Sequence, residues 1–130
     1  MQLKGLISLS FGTLSLGITE FVAMGLLPYI ATDFAISIAT AGHFVSAYAL
    51  GVAFGAFALL FLRRFKLKTI LLFLIIVHVV GNILTVTATS FSFLLAARFI
   101  AGLPHGCYFG VASIIAQRLC ENMPITLSDL

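Results

Sequence analysis

Charge is the scarcest thing in this sequence. Only 8% of its 130 residues are Asp, Glu, Lys or Arg, while 62% are hydrophobic. Soluble domains carry about 25% charged residues. A fold of this size cannot cover its surface with so little polar material, so lipid is the expected solvent. Tryptophan is absent and phenylalanine abundant, which fits an apolar exterior and leaves Tyr29, Tyr48 and Tyr108 as the interfacial aromatic belt. The two cysteines make no redox or metal pattern. Cys107 lies inside an apolar run and Cys120 just beyond it, which reads as buried thiol chemistry with no metal or cofactor. The net charge of +3 forms no broad basic face, which excludes a nucleic-acid partner. There is no nucleophile–base pair, metal-ligand spacing or phosphate-cradling glycine loop, so an enzyme is not expected.

What the chain has is long apolar runs. Four of them, Leu6–Ile30, Ala41–Leu62, Thr69–Thr89 and Phe91–Leu119, each supply the 20 or so residues that cross a bilayer. Backbone polar groups in lipid must pair within their own segment, so each run predicts an α-helix. The fold class is all-α and polytopic, with residues 1–119 as a four-helix transmembrane region and 120–130 as a short polar cytoplasmic tail. The first run is too long for a signal-peptide core and no A-x-A-like site closes it, so it is read as an uncleaved span. Pro28, Thr32 and Asp33 are expected to end it, and Thr40 to cap the second. Arg63, Arg64, Lys66 and Lys68 make the turn into the third span; Thr89, Ser90 and Ser92 make the turn into the fourth. No connection is long enough for an extramembrane domain.

Six of the seven basic residues, Lys4, Arg63, Arg64, Lys66, Lys68 and Arg118, fall on one side of the four spans, and the opposite loops carry only Asp33. By the positive-inside rule both termini are cytoplasmic. The expected location is a bacterial-type inner (plasma) membrane, multi-pass.

The polar residues left inside the spans are Glu20, His78, Asn82, Arg98 and His105. Thr13, Gly17, Glu20 and Met24 recur at i, i+4, i+7 and i+11 and share one face of the first helix. A charged group at the centre of a membrane helix costs about 2.5–3.5 kcal/mol on insertion scales. That cost turns Glu20 toward other helices or water, where intramembrane carboxyls mark ion and substrate paths. His78, Asn82, Thr85 and Thr89 form a second polar stripe, able to line a cavity or to bond between helices. Arg98, Gly102 and His105 share a face of the fourth helix. Pro104 removes one amide donor and clashes with the carbonyl of Ile100, so a kink is expected beside His105. Arg98 is near enough to the outer end to snorkel to the interface; His105 is not, and its titratable ring suits proton carriage. Gly102, Gly106 and Gly110, and Ala47, Gly51 and Gly55, form small-residue stripes that let helix backbones approach closely.

Three stretches in this order resemble the major facilitator superfamily, and within it the drug-and-sugar efflux branch of arabinose-efflux-permease type. They are GITEFVAMGLLP followed by YIATDF, AGHFVSAYALGVAFGA, and AARFIAGLPHGCYFGVAS. In the last, Arg98-x-x-x-Gly102 matches the arginine motif of the family's fourth helix, to which proton coupling is attributed. The resemblance implies a proton antiporter exporting small organic solutes such as drugs or sugars, with Glu20, Arg98 and His105 handling protons or substrate; His78 and Asn82 are candidates for the same path from their polar stripe, and the glycines for helix packing from their spacing. Two departures stand out. The loop GAFALLFLRRFKLK keeps Gly55 and the basic cluster but lacks the family's acidic residue and second glycine. The four spans correspond to the first part of an N-terminal half, where complete members have twelve in three-helix repeats. The sequence reaches LCENMPITLSDL where a fifth span would be needed, which implies a truncated product, a fragment or one part of a split protein.

Two other functions fit the residues. A small four-span multidrug exporter acting as a dimer would also carry a Glu in its first helix. A non-transporting remnant or accessory helix bundle would need none of the polar groups to move protons. The expected partners are the lipid bilayer, a small solute and protons, with a missing C-terminal portion or another copy of the chain completing the bundle.

Overall fold

The computed structural model describes residues 2–62 and 64–121. These form six helices and no strand: α1 (Gln2–Gly25), α2 (Leu27–Asp33), α3 (Ile38–Ala41), α4 (His43–Leu62), α5 (Leu67–Val86) and α6 (Phe91–Glu121). Arg63 and the greater part of the expected tail, 122–130, lie outside the described residues. Four stretches are long and apolar enough to cross a bilayer: Leu3–Gly25, Ile38–Leu62, Leu67–Val86 and Phe91–Cys120. The protein is an all-α integral membrane protein.

Three boundary expectations are corrected. Pro28 does not close the first span. It sits in the first turn of α2, where its missing N–H costs nothing. The interruption comes earlier, at Leu26, because proline cannot donate to the carbonyl four residues back, at Met24. Thr40 is not the N-cap of the second span. Ser37 is: its extended backbone (φ −69°, ψ 152°) lets its hydroxyl accept from the Thr40 amide at 3.0 Å, so the helical stretch begins at Ile38. The third span closes at Val86, and Thr89 lies beyond it. Ser90 Oγ accepts from the Phe93 amide at 3.3 Å and so starts α6.

The hinge between α2 and α3 is built on backbone geometry. The Ile36 amide reaches back to the Ala31 carbonyl at 2.9 Å and the Ala35 amide to Thr32 at 3.2 Å, the paired bonds of a Schellman helix end. The motif requires a left-handed residue, and Ala35 adopts it with φ 49°.

α6 is the hub, packing against α4, α5 and α1. Its helical assignment is unbroken through Pro104, whose side chain is buried. Two apolar clusters hold the bundle. One joins Leu16, Ile70, Leu74, Cys107, Tyr108 and Val111. The other joins Ala23, Phe44 and Leu94. On α1 and α6 the polar residues Thr19, Glu20, Arg98 and His105 fall between the two clusters. Large apolar side chains such as Phe21, Phe57, Phe61, Phe73 and Val86 point outward, as lipid contact requires. Tyr29 is exposed, but Tyr48 and Tyr108 are buried. Neither belongs to an interfacial belt, because each uses its hydroxyl inside the bundle: Tyr108 donates to the Leu9 carbonyl at 3.1 Å and Tyr48 meets His105.

Candidate functional site

The site depends on how closely α4 and α6 approach. Gly51 and Gly55 on α4 face the carbonyls of Phe99 and Leu103, while Gly102 and Gly106 on α6 face those of Tyr48 and Val52. A Cβ at any of the four would collide with backbone. Gly110 lies against the Leu59 side chain instead. On α5, Gly81 abuts the Ala101 backbone in the same manner. Cys107 fills the seam and directs its thiol to the Gly55 carbonyl; Cys120 is free and exposed.

This contact carries Tyr48 to His105. The Tyr48 hydroxyl lies 2.8 Å from His105 Nδ1, and the two rings meet edge to face at 5.8 Å. Phe109, one turn along, packs against the imidazole with its ring centroid at 5.0 Å. The far nitrogen, Nε2, is 3.9 Å from Glu20 Oε2. The His105 side chain is largely enclosed, whereas that of Glu20 is 46% exposed. Glu20 is thus the open end of a contact whose other end is buried. No other carboxyl falls inside the four spans.

Arg98 does not snorkel. It is 2% exposed, and its guanidinium carbon lies 4.4 Å from the ring centroids of both Phe44 and Tyr48. The physical reason is that Phe44 and Tyr48 are one turn apart on α4, so their faces clamp a planar cation. Each such contact is worth about 0.5–2 kcal/mol, more when desolvated. Nη2 donates to the Thr19 carbonyl at 3.4 Å, and Nε is buried without a hydrogen-bond partner. Among the described residues no carboxylate lies within 4.0 Å of this cation.

His78 and Asn82 form an adjoining cluster. His78 Nε2 is 3.2 Å from Asn82 Nδ2 and 3.3 Å from the Thr19 hydroxyl, and Nδ1 faces the Ala101 carbonyl at 3.5 Å. Asn82 Nδ2 also donates to the His78 carbonyl at 2.8 Å. The rest of the expected stripe does not join in: the Thr85 hydroxyl turns back to Gly81, and Thr89 is exposed past the helix end. A cleft of about 450 Å³ between α1 and α5 is floored by Ser15, Thr19, His78 and Asn82, and a second of about 250 Å³ reaches Arg98. On α1 the expected face is only partly engaged. Thr13 bonds its own helix at the Leu9 carbonyl, Gly17 has open space beside it, and Met24 is exposed.

The sequence-predicted residues therefore fall into two neighbouring groups, Glu20–His105 with Arg98 behind them, and His78–Asn82. Three residues that join them escaped the sequence reading: Tyr48, Phe44 and Thr19. A signal existed for the first two. Phe44, Tyr48, Gly51 and Gly55 recur at i, i+4, i+7 and i+11 and are all buried, so the aromatics share the glycine face. Thr19 contributes its carbonyl to Arg98 and its hydroxyl to His78, which no residue type announces.

The sequence pattern of the Major Facilitator Superfamily matches residues 9–122. Among curated relatives, the "Putative transporter AraJ" of Escherichia coli K12 is 42% identical over 124 residues, 95% of this chain and 32% of its own length. The "Uncharacterized MFS-type transporter YtbD" of Bacillus subtilis 168 is 43% identical over 116 residues, 88% of this chain and 29% of its own. A "Probable sugar efflux transporter" of Helicobacter pylori P12 is 31% identical over 105 residues, 80% of this chain and 27% of its own. The chain spans about a third of the length of these relatives. No solved structure matches it with significance. Both the family and the relatives' names are those of transport proteins, not enzymes. A match running through all four membrane spans, with every site residue inside it, makes this chain a member of the Major Facilitator Superfamily.

Proposed function

We propose that the chain works in proton-coupled export of a small organic solute, a sugar or a drug, with Glu20 and His105 as the proton-carrying pair. The observation that carries this reading is the Glu20–His105 contact at 3.9 Å. It joins the sole carboxyl of the spans, open on one side, to an enclosed imidazole. Arg98 supplies a fixed positive charge behind the pair, held by rings and not by a neutralising carboxylate. A proton arriving at Glu20 discharges the carboxylate that faces His105, and that change of charge is felt by the buried cation. His78 and Asn82 line the cleft beside α1 and form the edge of the solute path. The name of the Helicobacter pylori relative supports the direction, efflux, and the sugar class.

Coupling requires that solute and proton favour different conformations of the bundle, because a ligand shifts an equilibrium only by its differential affinity for the two states. The distribution of basic residues supports cytoplasmic termini in an inner membrane. The test is solute-driven proton movement. Proteoliposomes holding this chain and a trapped pH dye are exposed to a panel of sugars and small drugs. Proton flux that depends on one solute class, and falls to the protein-free level in Glu20→Gln, is the expected result. Wild-type flux equal to that of empty vesicles across the panel overturns the reading.

A further inference from the structure

We infer that Tyr48 is a positioning residue that fixes the tautomer of His105, placing the ring proton on Nε2 and aiming it at Glu20. Its purpose rests on the proton-coupled reading above; its chemistry does not.

Hydrogen-bond satisfaction decides the tautomer. The Tyr48 hydroxyl is buried and His105 Nδ1, at 2.8 Å, is its hydrogen-bond partner. A neutral imidazole donates from one nitrogen and accepts at the other, while a phenol can do either. Were the proton on Nδ1, the phenol oxygen would accept it and the phenolic hydrogen would be left buried and unpaired. The Nε2 lone pair would then face the carboxyl oxygen of Glu20. With the proton on Nε2 both conflicts vanish. Tyr48 donates to Nδ1, and Nε2–H faces Glu20 Oε2. The same phenol ring also supports Arg98. The groups around His105 are Glu20 on α1, Tyr48 on α4, His78 on α5 and Phe109 on its own helix, with Arg98 packed on the Tyr48 ring.

His78 provides the opposite case. Its Nδ1 faces a carbonyl, which only accepts; its Nε2 faces the Asn82 amino group, which only donates, and the Thr19 hydroxyl, which donates to it by turning from the Ser15 carbonyl. The bond from that amino group to the His78 carbonyl sets the amide's orientation. The proton of His78 therefore belongs on Nδ1. The bundle holds two histidines in opposite tautomers, each set by a neighbour.

The experiment is nitrogen NMR of the whole chain, labelled with 15N-histidine, in lipid nanodiscs at a pH where the rings are neutral, with His105→Gln and His78→Gln spectra assigning the signals. In the wild type, His105 is expected to carry its proton on Nε2 with Nδ1 a hydrogen-bonded imine, and His78 the reverse. In Tyr48→Phe, which keeps the ring under Arg98, the His105 Nδ1 resonance moves to the position of an unbonded imine while the His78 signals stay, showing an intact bundle. A wild-type His105 protonated at Nδ1 overturns the inference, as does a Tyr48→Phe spectrum in which Nδ1 has not moved. Should Tyr48→Phe disturb the His78 signals as well, the wild-type tautomer decides alone. Loss of solute-driven flux bears on the transport reading and leaves this assignment intact.

Discussion

Replacing Gly102 with alanine should destabilise the bundle, and the same exchange at Gly17 should not. A Cβ on Gly102 meets the Tyr48 carbonyl, Val52 N at 3.1 Å and Gly51 Cα at 3.2 Å. All three are backbone atoms, so no side-chain rotation relieves the contact and α4 must move away from α6. Overpacking of this kind costs about 1–3 kcal/mol. Against it stands the helix-propensity gain of about 1 kcal/mol for Gly→Ala. At Gly17 nothing lies within 4 Å, so the propensity gain comes without a clash. The propensity contribution is common to both variants, and their difference isolates the overpacking, about 1–3 kcal/mol. Gly110→Ala should fall between them, since its obstacle is the Leu59 Cδ2 methyl at 2.7 Å, which can rotate. Gly51→Ala combined with Gly102→Ala should cost less than the sum of the two, because parting the helices once relieves both. Reversible unfolding in nanodiscs, read by steric trapping, measures each value. If Gly102→Ala and Gly17→Ala unfold at the same free energy, the close α4–α6 seam is not what positions Tyr48 against His105.

Other substitutions test other parts. Arg98→Lys replaces a planar cation between two rings with a point charge and should lose about 1–3 kcal/mol of stability. Arg98→Met, which removes an unpaired buried cation, should unfold at or above the wild-type value yet give no solute-driven proton flux. Ala35→Gly relieves a left-handed backbone that costs an L-residue about 1–2 kcal/mol and should stabilise by up to that amount in the same unfolding assay. A membrane-impermeant maleimide should label Cys120 and leave Cys107 untouched, and should reach Cys120 only from the cytoplasmic side of sealed vesicles.

The fold was legible because length and apolarity alone decide what crosses a bilayer. Four runs of sufficient length became four spans. The faces those helices turn to one another were less legible. An apolar helix in lipid gains nothing from an amphipathic pattern, so the usual periodicity is faint. What replaces it is size. On α1 the positions packed against the other helices run Gly5, Leu9, Gly12, Leu16, Thr19 and Ala23, one step removed from the Thr13–Glu20 face that polarity suggests, of which Glu20 alone makes an ionic contact across the bundle. The polar residues of the site stood out by type. Their pairing did not, because it depends on which glycines interlock. Arg98 shows the same limit: its distance from the span end permits snorkelling, and only the aromatic pair on α4 holds it inside. Thr40 and Pro28 misled because hydroxyls and prolines are read at helix ends generally, whereas here a serine three residues earlier and the first turn of the next helix took those roles.

Proton-coupled export through Glu20 requires that this carboxyl change its protonation state when solute binds. Infrared difference spectroscopy of the chain in lipid, solute minus buffer, reads this directly through the carboxyl carbonyl band. The expected result is a carboxyl change in the wild type that is absent from Glu20→Gln and retained in Gly17→Ala. Identical difference spectra from wild type and Glu20→Gln would contradict it.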